Sequence, residues 1–435
     1  LFADKMTRWR IMNKEIFREY DIRGEVGRDL DEEVVYHLGR AIGTLARRRG
    51  AGLMTIGRDC RLTSPAFQEV LARGLADTGL ALIDIGLVAT PVLYFSIRHF
   101  AAGGGVMVTA SHNPPQFNGF KICIGPDAIH GEDIQQLREI ILAKDYETGS
   151  GSCRRQDAAG PYLDYLARDI RLEKQVRVAF DGGNGMGGPF LLPLLQRLNC
   201  PCDAIFTEPD GNFPNHFPDP TVEKNLAHLI TLMSKTEAEV GLSTDGDADR
   251  LGVVTNEKRV IWGDELLILF SRDILKRHPG AAIIGEVKCS QKLFDDITQK
   301  GGRAIMWKAG HSLIKEKMKE EKALLAGEMS GHLFFADRYF GYDDAIYASL
   351  RLIEILSRSP LTLSELLADI PPTFSTPEIR VPCPDAEKKA VVARVKEYFR
   401  NKYPLIDIDG VRVLFPRGWG LLRASNTQPV LVLRY

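Results

Sequence analysis

No charge of one sign dominates this sequence: 56 Lys and Arg nearly balance 57 Asp and Glu, which removes any bulk electrostatic case for nucleic acid or an anionic membrane. Any anion must therefore be gripped locally. No apolar run is long and uninterrupted enough to span a bilayer, and Leu1 to Arg10 carry charges but no apolar signal core. The seven cysteines are odd in number and scattered, with only Cys200 and Cys202 close together, which fits neither a disulfide framework nor a zinc site. These absences predict a soluble, unexported protein of the reducing cytoplasm. What is present is an ordinary globular composition, 44% hydrophobic and 26% charged over 435 residues, enough for about three domains.

The first chemical signal is Val106-Met107-Val108-Thr109-Ala110-Ser111-His112-Asn113-Pro114. An apolar run behind Gly103 to Gly105 that ends in small polar residues and Asn-Pro-Pro is the pattern of a buried parallel strand delivering a side chain to the loop at its C-terminal end. Open α/β sheets bind their ligands at that edge. Alone, Ser111 and His112 could equally decorate a turn. Upstream, Ile16 to Gly24 crowds charge and an aromatic into what reads as an ordered loop, with Tyr20 and Arg23 as candidate ligand contacts. From Asp31 the spacing of Val34, Val35, Leu38, Ile42 and Leu45 predicts a helix that Gly50 stops. Strands are predicted at Leu53 to Ile56 and Ala81 to Ile85, separated by a helix opening at Thr63-Ser64-Pro65 with Ser64 as N-cap. Such alternation predicts right-handed βαβ units. Asn118-Gly119 is a turn signal that would return Lys121 to the serine loop, and Thr148 to Ala159 reads as a linker.

A second unit opens with a strand at Val176 to Phe180, a glycine-rich loop from Asp181 to Gly188, and an apolar helix. The loop lacks the Lys-Ser/Thr ending of a P-loop and the spacing of a dinucleotide fingerprint, and reads as a tight strand-to-helix turn. A helix at Leu226 to Met233 and a strand at Glu239 to Ser243 then lead into Thr244-Asp245-Gly246-Asp247-Ala248-Asp249-Arg250. Three carboxylates at alternate positions, spaced by Gly and Ala, form a hard-oxygen set suited to Mg²⁺. A solvated acidic turn is the bland alternative, but three carboxylates in contact raise one another's pKa unless a cation relieves them. The loop is no EF-hand, because Arg250 stands at its sixth position and Asn256 at its twelfth, where Gly and Glu are required.

The third unit repeats the pattern. Strands at Ala282 to Val287, Arg303 to Trp307 and Ala323 to Ala326 end in loops bearing Lys288, His311 and Gly327-Glu328-Met329-Ser330-Gly331-His332. Several such ends on one sheet edge describe a site. Asp343 and Ser364 are expected to cap two helices, and Pro371 to Pro384 reads as a Pro-rich linker. The last segment, Glu378 to Tyr435, predicts a small α+β domain with a strand, a helix at Ala386 to Phe399 and hairpins carrying the loop Arg423-Ala424-Ser425-Asn426-Thr427. An arginine fork, hydroxyls and backbone N–H groups can grip a phosphate there, or simply form a polar turn.

Four motifs in this order, from Tyr20-Asp21-Ile22-Arg23-Gly24 to Arg423-Ala424-Ser425-Asn426-Thr427, make the chain resemble the α-D-phosphohexomutase family over nearly its whole length, specifically the phosphomannomutase/phosphoglucomutase branch. The resemblance implies three similar α/β domains with mixed sheets and a smaller C-terminal α+β domain around a central cleft. Their expected ranges are 1–156, 157–259, 260–370 and 371–435. It further implies that Ser111 carries a phosphoryl group and completes a Mg²⁺ site with Asp245, Asp247 and Asp249. Hexose 1- and 6-phosphates would interconvert through a hexose 1,6-bisphosphate, with Arg23, Arg250 and Lys121 supplying positive charge. Glu328 and Ser330 match the family's sugar contacts, Lys288 and His311 its supporting contacts, and Arg423, Ser425, Asn426 and Thr427 its distal phosphate loop. His332 is the expected general base, because imidazole titrates near neutrality; Lys121 is its rival, and His112 is expected to orient the serine loop.

Met329 stands where the phosphoglucosamine branch typically has Gln, which favours glucose or mannose. Gln428 departs from the commonest form of the phosphate loop, and the sequence stops at Tyr435, on a strand, where family members usually continue into a helix. The expected partners are phosphorylated hexoses, and the expected state, by family analogy, is a monomer. The alternatives are a phosphoglucosamine mutase, a Mg-dependent sugar phosphatase using Asp247 as nucleophile, and a non-enzymatic sugar-phosphate sensor. A phosphatase of the haloacid-dehalogenase type would want Thr or Val at Asp249, and a sensor needs neither Ser111 nor three metal carboxylates.

Overall fold

In a computed structural model that describes residues 13–426 and 428–435, four sheets succeed one another along the chain. Thr427 of the expected phosphate loop lies outside the described residues. The first sheet has seven strands, in spatial order Ile22–Glu25, Phe117–Ile124, Gly104–Val108, Leu53–Arg58, Ala81–Leu87 and Ser152–Arg155, with Asp127–Ala128 paired to Phe117–Ile124. Leu53–Arg58 runs parallel to both of its neighbours, whereas Phe117–Ile124 is antiparallel to Gly104–Val108 and to Ile22–Glu25. Met107 joins one core with Tyr94 and Phe95, while Val106 and Val108 join another built on Leu38, Ile42 and Leu71. Both faces of this strand are therefore covered, which explains a continuous apolar run in place of alternation.

The second and third sheets repeat the plan of parallel strands edged by an antiparallel one. The second has the order Val260–Ile261, Leu251–Thr255, Val240–Thr244, Val178–Asp181, Cys202–Ile205, and the third Arg303–Trp307, Ala282–Glu286, Leu325–Gly327, Leu333–Phe335. A single core runs through all three units, holding Phe95, Tyr162, Phe180, Phe270 and Tyr347. The fourth sheet is wholly antiparallel, ordered Ile379–Pro382, Val430–Arg434, Gly418–Ala424, Val411–Phe415, Leu405–Ile406, and packs against the helix Asp385–Phe399. The architecture is three mixed α/β units and a smaller α+β unit. Among the described residues, no helix is long and apolar enough to cross a membrane.

Local differences from the sequence reading have physical reasons. Thr63, not Ser64, holds the N-cap position of the helix Ser64–Ala76, because the Ser64 hydroxyl donates to Asp59 Oδ1 at 2.6 Å. Asn118 and Gly119 make no turn and lie inside Phe117–Ile124. A Cβ on Gly119 would sit 2.4 Å from the Ile22 carbonyl oxygen, so the glycine serves strand approach. The expected linker from Thr148 to Ala159 contains the edge strand Ser152–Arg155, whereas the strand expected in the last segment is present as Ile379–Pro382, overlapping the end of the Pro-rich stretch. Arg23 belongs to the edge strand Ile22–Glu25. Asp344, accepting from Tyr347 N, caps the helix Ala345–Ser357 in place of Asp343, and Thr362 caps Leu363–Leu366 in place of Ser364, in a capping box with Glu365. Val260–Ile261 pairs with Leu251–Thr255, so the second sheet reaches just past the expected division after residue 259.

Candidate active site

Ser111 follows directly on the buried strand Gly104–Val108 and its linker Thr109-Ala110, in a left-handed conformation with φ of 50°. For a residue other than glycine such a conformation costs roughly 1 to 3 kcal/mol and persists only where the surroundings impose it. Arg61 imposes it. Its guanidinium, fully buried, donates to the carbonyls of Ser111 at 2.8 Å, Asn113 at 2.6 Å, Pro114 at 2.8 Å and Phe117 at 2.9 Å, while Asp59 balances its charge at 3.2 Å. Neither Arg61 nor Asp59 emerged from the sequence, where the sole signal is polar residues at the end of a strand. The Ser111 amide is held by Thr109 Oγ1 at 2.9 Å, and His112 Nδ1 lies 3.1 Å from Ser111 Oγ. Burial, followed by the charges of Arg250 and Arg23, holds the His112 pKa well below its usual range, so the ring is neutral.

The Ser111 hydroxyl donates to Asp245 Oδ2 at 2.6 Å. This approach needs Gly246, since a Cβ there would lie 2.4 Å from the Ser111 carbonyl oxygen. Asp245 Oδ1 accepts from the amides of Asp249 at 3.0 Å and Arg250 at 3.1 Å, so the loop folds around this carboxylate. Asp247 Oδ2 accepts from Thr90 Oγ1 at 2.5 Å and Lys121 Nζ at 2.7 Å, and Lys121 also donates to Asp249 Oδ2. All three carboxylates are buried, with an oxygen of each within 4.8 Å of the others. Burial and the charges of Asp249 and Asp247 push the Asp245 carboxyl well above its usual range. Burial opposes charge on Asp247 and Lys121 too, but each outweighs it for the other: Asp247 is held low, Lys121 high. Three carboxylates thus face one nearby lysine, and Asp247 Oδ1 and Asp249 Oδ1 are buried without a hydrogen-bond partner. Excess negative charge and orphaned hard oxygens fit a divalent cation such as Mg²⁺.

His332 joins this group from the third unit through a bridge to Arg250. Arg250 Nε donates to His332 Nε2 at 3.0 Å, and His332 Nδ1 lies 3.1 Å from Asp343 Oδ2. Because Arg250 donates to Nε2, that nitrogen holds the lone pair, which puts the ring proton of the neutral imidazole on Nδ1, the side of Asp343. Asp343, which the sequence offered only as a helix cap, is itself paired with Lys315 at 2.9 Å. Burial opposes its charge, and Lys315 more than reverses this, holding the carboxyl well below its usual range. His311 stacks on His332 with centroids 5.7 Å apart and sits edge-on to Tyr20 at 6.0 Å. It is kept neutral by burial first and Lys315 second.

Beyond His311 lies the second half of the site. Tyr20 Oη donates to the Ala309 carbonyl at 2.7 Å and accepts from Asn426 Nδ2 at 2.5 Å. Glu328 Oε1 accepts from Gly310 N at 2.7 Å, with Ser330 half-buried two positions on. Lys288 lies 3.2 Å from Glu378 and 3.6 Å from Glu286, and these carboxylates overcome burial to raise its pKa. Arg423 meets Asp409, and Ser425 Oγ accepts from Gln428 N at 3.2 Å. Arg23 donates to Ala110 O at 3.3 Å and Asn113 Oδ1 at 2.9 Å, behind the serine loop. One half of the site therefore gathers Ser111, His112, Lys121, Asp245, Asp247, Asp249, Arg250 and His332; the other gathers Tyr20, Glu328, Lys288, Arg423 and Asn426.

The chain's likenesses to known proteins extend over nearly its whole length. Four family profiles match in order: "Phosphoglucomutase/phosphomannomutase, alpha/beta/alpha domain I" at residues 14–148, domain II at 160–258, domain III at 262–374, and the C-terminal domain at 378–435. A phosphoglucomutase of Neisseria gonorrhoeae is 45% identical over 429 residues, 98% of this chain and 93% of that one. A phosphomannomutase/phosphoglucomutase of Pseudomonas aeruginosa is 46% identical over 421 residues, 97% of this chain and 91% of the other. The crystal structure of a phosphoglucomutase/phosphomannomutase family protein from Burkholderia thailandensis superposes with a TM-score of 0.92 at 42% identity, covering 98% of this chain and 93% of that one. With profiles matched in sequence from residue 14 to residue 435, the chain belongs to the phosphoglucomutase/phosphomannomutase family.

Proposed function

We propose that this chain is a phosphohexomutase, interconverting the 1- and 6-phosphates of glucose and mannose through a phosphoryl group on Ser111 and a hexose 1,6-bisphosphate. The observation that carries this reading is the buried Ser111 hydroxyl, 2.6 Å from a carboxylate of a three-aspartate cluster and held in a left-handed turn by Arg61. The relatives named phosphoglucomutase and phosphomannomutase/phosphoglucomutase support the substrate class.

Asp245, Asp247 and Asp249 would hold Mg²⁺, which when bound supplies positive charge to the oxygens of the phosphoryl group. Lys121, Arg23 and Arg250 add to that charge from the protein. A sugar hydroxyl attacks phosphorus, its new O–P bond forming as the bond to Ser111 Oγ breaks. The hydroxyl proton passes to His332 Nε2, whose lone pair Arg250 holds in the resting site. Lys121 is not a base here: bound by Asp247 and Asp249, its ammonium keeps its proton. The bisphosphate turns over, and its other phosphate returns to Ser111. Arg423, Ser425, Asn426 and Thr427 must then accept either end of the sugar, while Glu328, Ser330, Lys288, His311 and Tyr20 hold its hydroxyls.

Domain divisions near residues 156, 259 and 370, a cytoplasmic location and a monomeric state complete the reading. The experiment is phosphorus NMR of glucose 1-phosphate and mannose 1-phosphate, incubated separately with the protein, Mg²⁺ and a trace of glucose 1,6-bisphosphate. The expected products are the 6-phosphates. Release of inorganic phosphate alone would mean a phosphatase, and turnover of glucosamine phosphate alone would move the chain to that specificity.

A further inference from the structure

Asp409 belongs to no motif legible in the sequence, yet one of its oxygens gathers donors from two units. Asp409 Oδ2 accepts from Arg423 Nε at 3.0 Å, from Arg423 Nη2 at 2.9 Å and from the Ala309 amide of the third unit at 3.1 Å. Both side chains of the pair are sheltered, 13% exposed for Asp409 and 8% for Arg423. Gly410 delivers the carboxylate there. Its φ is +83°, and a Cβ on it would lie 2.3 Å from the Leu422 carbonyl oxygen and 2.6 Å from Arg423 Cβ.

The same Ala309 is held from the first unit, where Tyr20 Oη donates to its carbonyl and Asn426 Nδ2 donates in turn to Tyr20 Oη. Its neighbour Gly310 donates to Glu328. The segment 309–310 is thus gripped by three units, and two of the residues expected to hold the distal phosphate, Arg423 and Asn426, are tied to it. With Nε and Nη2 turned to Asp409, the Nη1 side of the guanidinium is the side left for an anion.

We propose that Asp409 is a positioning residue of the distal phosphate grip: it fixes the Arg423 fork and couples it to docking of the C-terminal unit on the Ala309 amide. This rests on the reading of Arg423 as a phosphate ligand. The opposed possibility is that Asp409 competes with the phosphate for Arg423, in which case its removal tightens binding.

The test compares Asp409→Ala, Asp409→Asn, Arg423→Ala and the Asp409→Ala/Arg423→Ala double variant, reading kcat and KM for glucose 1-phosphate and amide exchange of residues 305–312 without substrate. Asp409→Ala is expected to raise KM about tenfold or more while kcat moves less than about threefold, because the grip acts before and during the reaction alike. Asp409→Asn, which keeps an acceptor oxygen, recovers part of the loss. In the Arg423→Ala background the Asp409 substitution adds less than about twofold, as expected for residues acting as one unit. Exchange of the 305–312 amides accelerates in Asp409→Ala. A lowered KM, fully additive losses, or unchanged exchange would overturn the proposal. If Asp409→Ala fails to fold, Asp409→Asn carries the same comparison. A wild-type protein without mutase turnover would sink the functional reading instead, and the exchange measurement would still report on the tie between the two units.

Discussion

Ser111 and Asp245 are 134 positions apart in the chain and 2.6 Å apart at their oxygens. The contact joins the end of a strand in the first unit to the end of a strand in the second, where α/β sheets present their loops. It places the serine oxygen at the edge of the buried three-carboxylate cluster proposed to hold the cation. Ser111→Ala is therefore expected to cut kcat by about 10³-fold or more while leaving sugar-phosphate affinity within about threefold, since the hydroxyl is needed for chemistry and not for the distal grip. Phosphorus NMR gives the first quantity and calorimetry the second. Turnover near the wild-type rate would remove Ser111 from the mechanism.

Asp247, like Asp249, has one oxygen committed to Lys121 and one left over. Its Oδ2 is committed to Thr90 and Lys121, whereas its Oδ1 is buried without a partner. Asp247→Asn keeps the shape but removes one of three ligand charges, and its amide N–H₂ would turn a donor toward Lys121 or the cation. The concentration of Mg²⁺ giving half-maximal turnover is expected to rise at least about tenfold. A metal titration superimposable on that of the wild type would show that the cation binds elsewhere.

Arg61 is expected to matter for folding and chemistry together. Removing its side chain leaves Asp59 buried without its counter-charge and strips a donor from each of four carbonyls around Ser111. Breaking a buried pair in this way costs about 3 to 5 kcal/mol. Arg61→Met should lower the unfolding midpoint and reduce kcat. Arg61→Lys should restore little of either, because a single ammonium cannot replace a planar fork that spans four carbonyls. Full activity in Arg61→Lys would mean that the serine loop holds its conformation unaided.

These residues also mark how far the sequence could be read. The cluster of Asp245, Asp247 and Asp249 was legible because its carboxylates are close in sequence and spaced by small residues. Ser111, Glu328 and Arg423 were legible as candidates because each ends a recognisable strand or sits in a polar hairpin, but their expected roles came from the order of motifs that resembles the family. Arg61, Thr90, Asp343 and Asp409 were not, since each acts on a partner that only the tertiary fold supplies: Ser111, Asp247, His332 and Arg423. Asn118-Gly119 failed for the opposite reason. Its local turn preference is overridden by a fully buried Asn118 that donates to Thr63 at 2.9 Å and Ser64 at 3.1 Å, pinning the strand to the helix beneath the serine loop.

Asp344 makes a prediction about pH. It is wholly buried behind the site, next to the Asp343 that faces His332, and accepts from Tyr162 Oη, Tyr339 Oη and Tyr347 N. Burial pushes its carboxyl up to about 7, with the Tyr347 amide and the two tyrosine hydroxyls only partly opposing. Unfolded, the same group titrates near 3.8. Between about pH 4 and 7 the folded chain therefore holds a proton that the unfolded chain has lost. The native state binds more protons in that window, so this group's contribution to stability is greatest below pH 4 and falls as pH rises toward 7, by at most about 1.4 kcal/mol per pH unit. Asp344→Asn abolishes the titration and keeps an acceptor for the helix cap. Thermal midpoints of the two proteins from pH 4 to 8 should diverge, with the wild type losing ground to the variant up to about pH 7 and running parallel above it. Curves parallel throughout would mean that Asp344 is already ionised in the folded chain at pH 4. The tyrosine hydroxyls around it would then be solvating a buried charge, and the cap on the helix Ala345–Ser357 would be insensitive to pH.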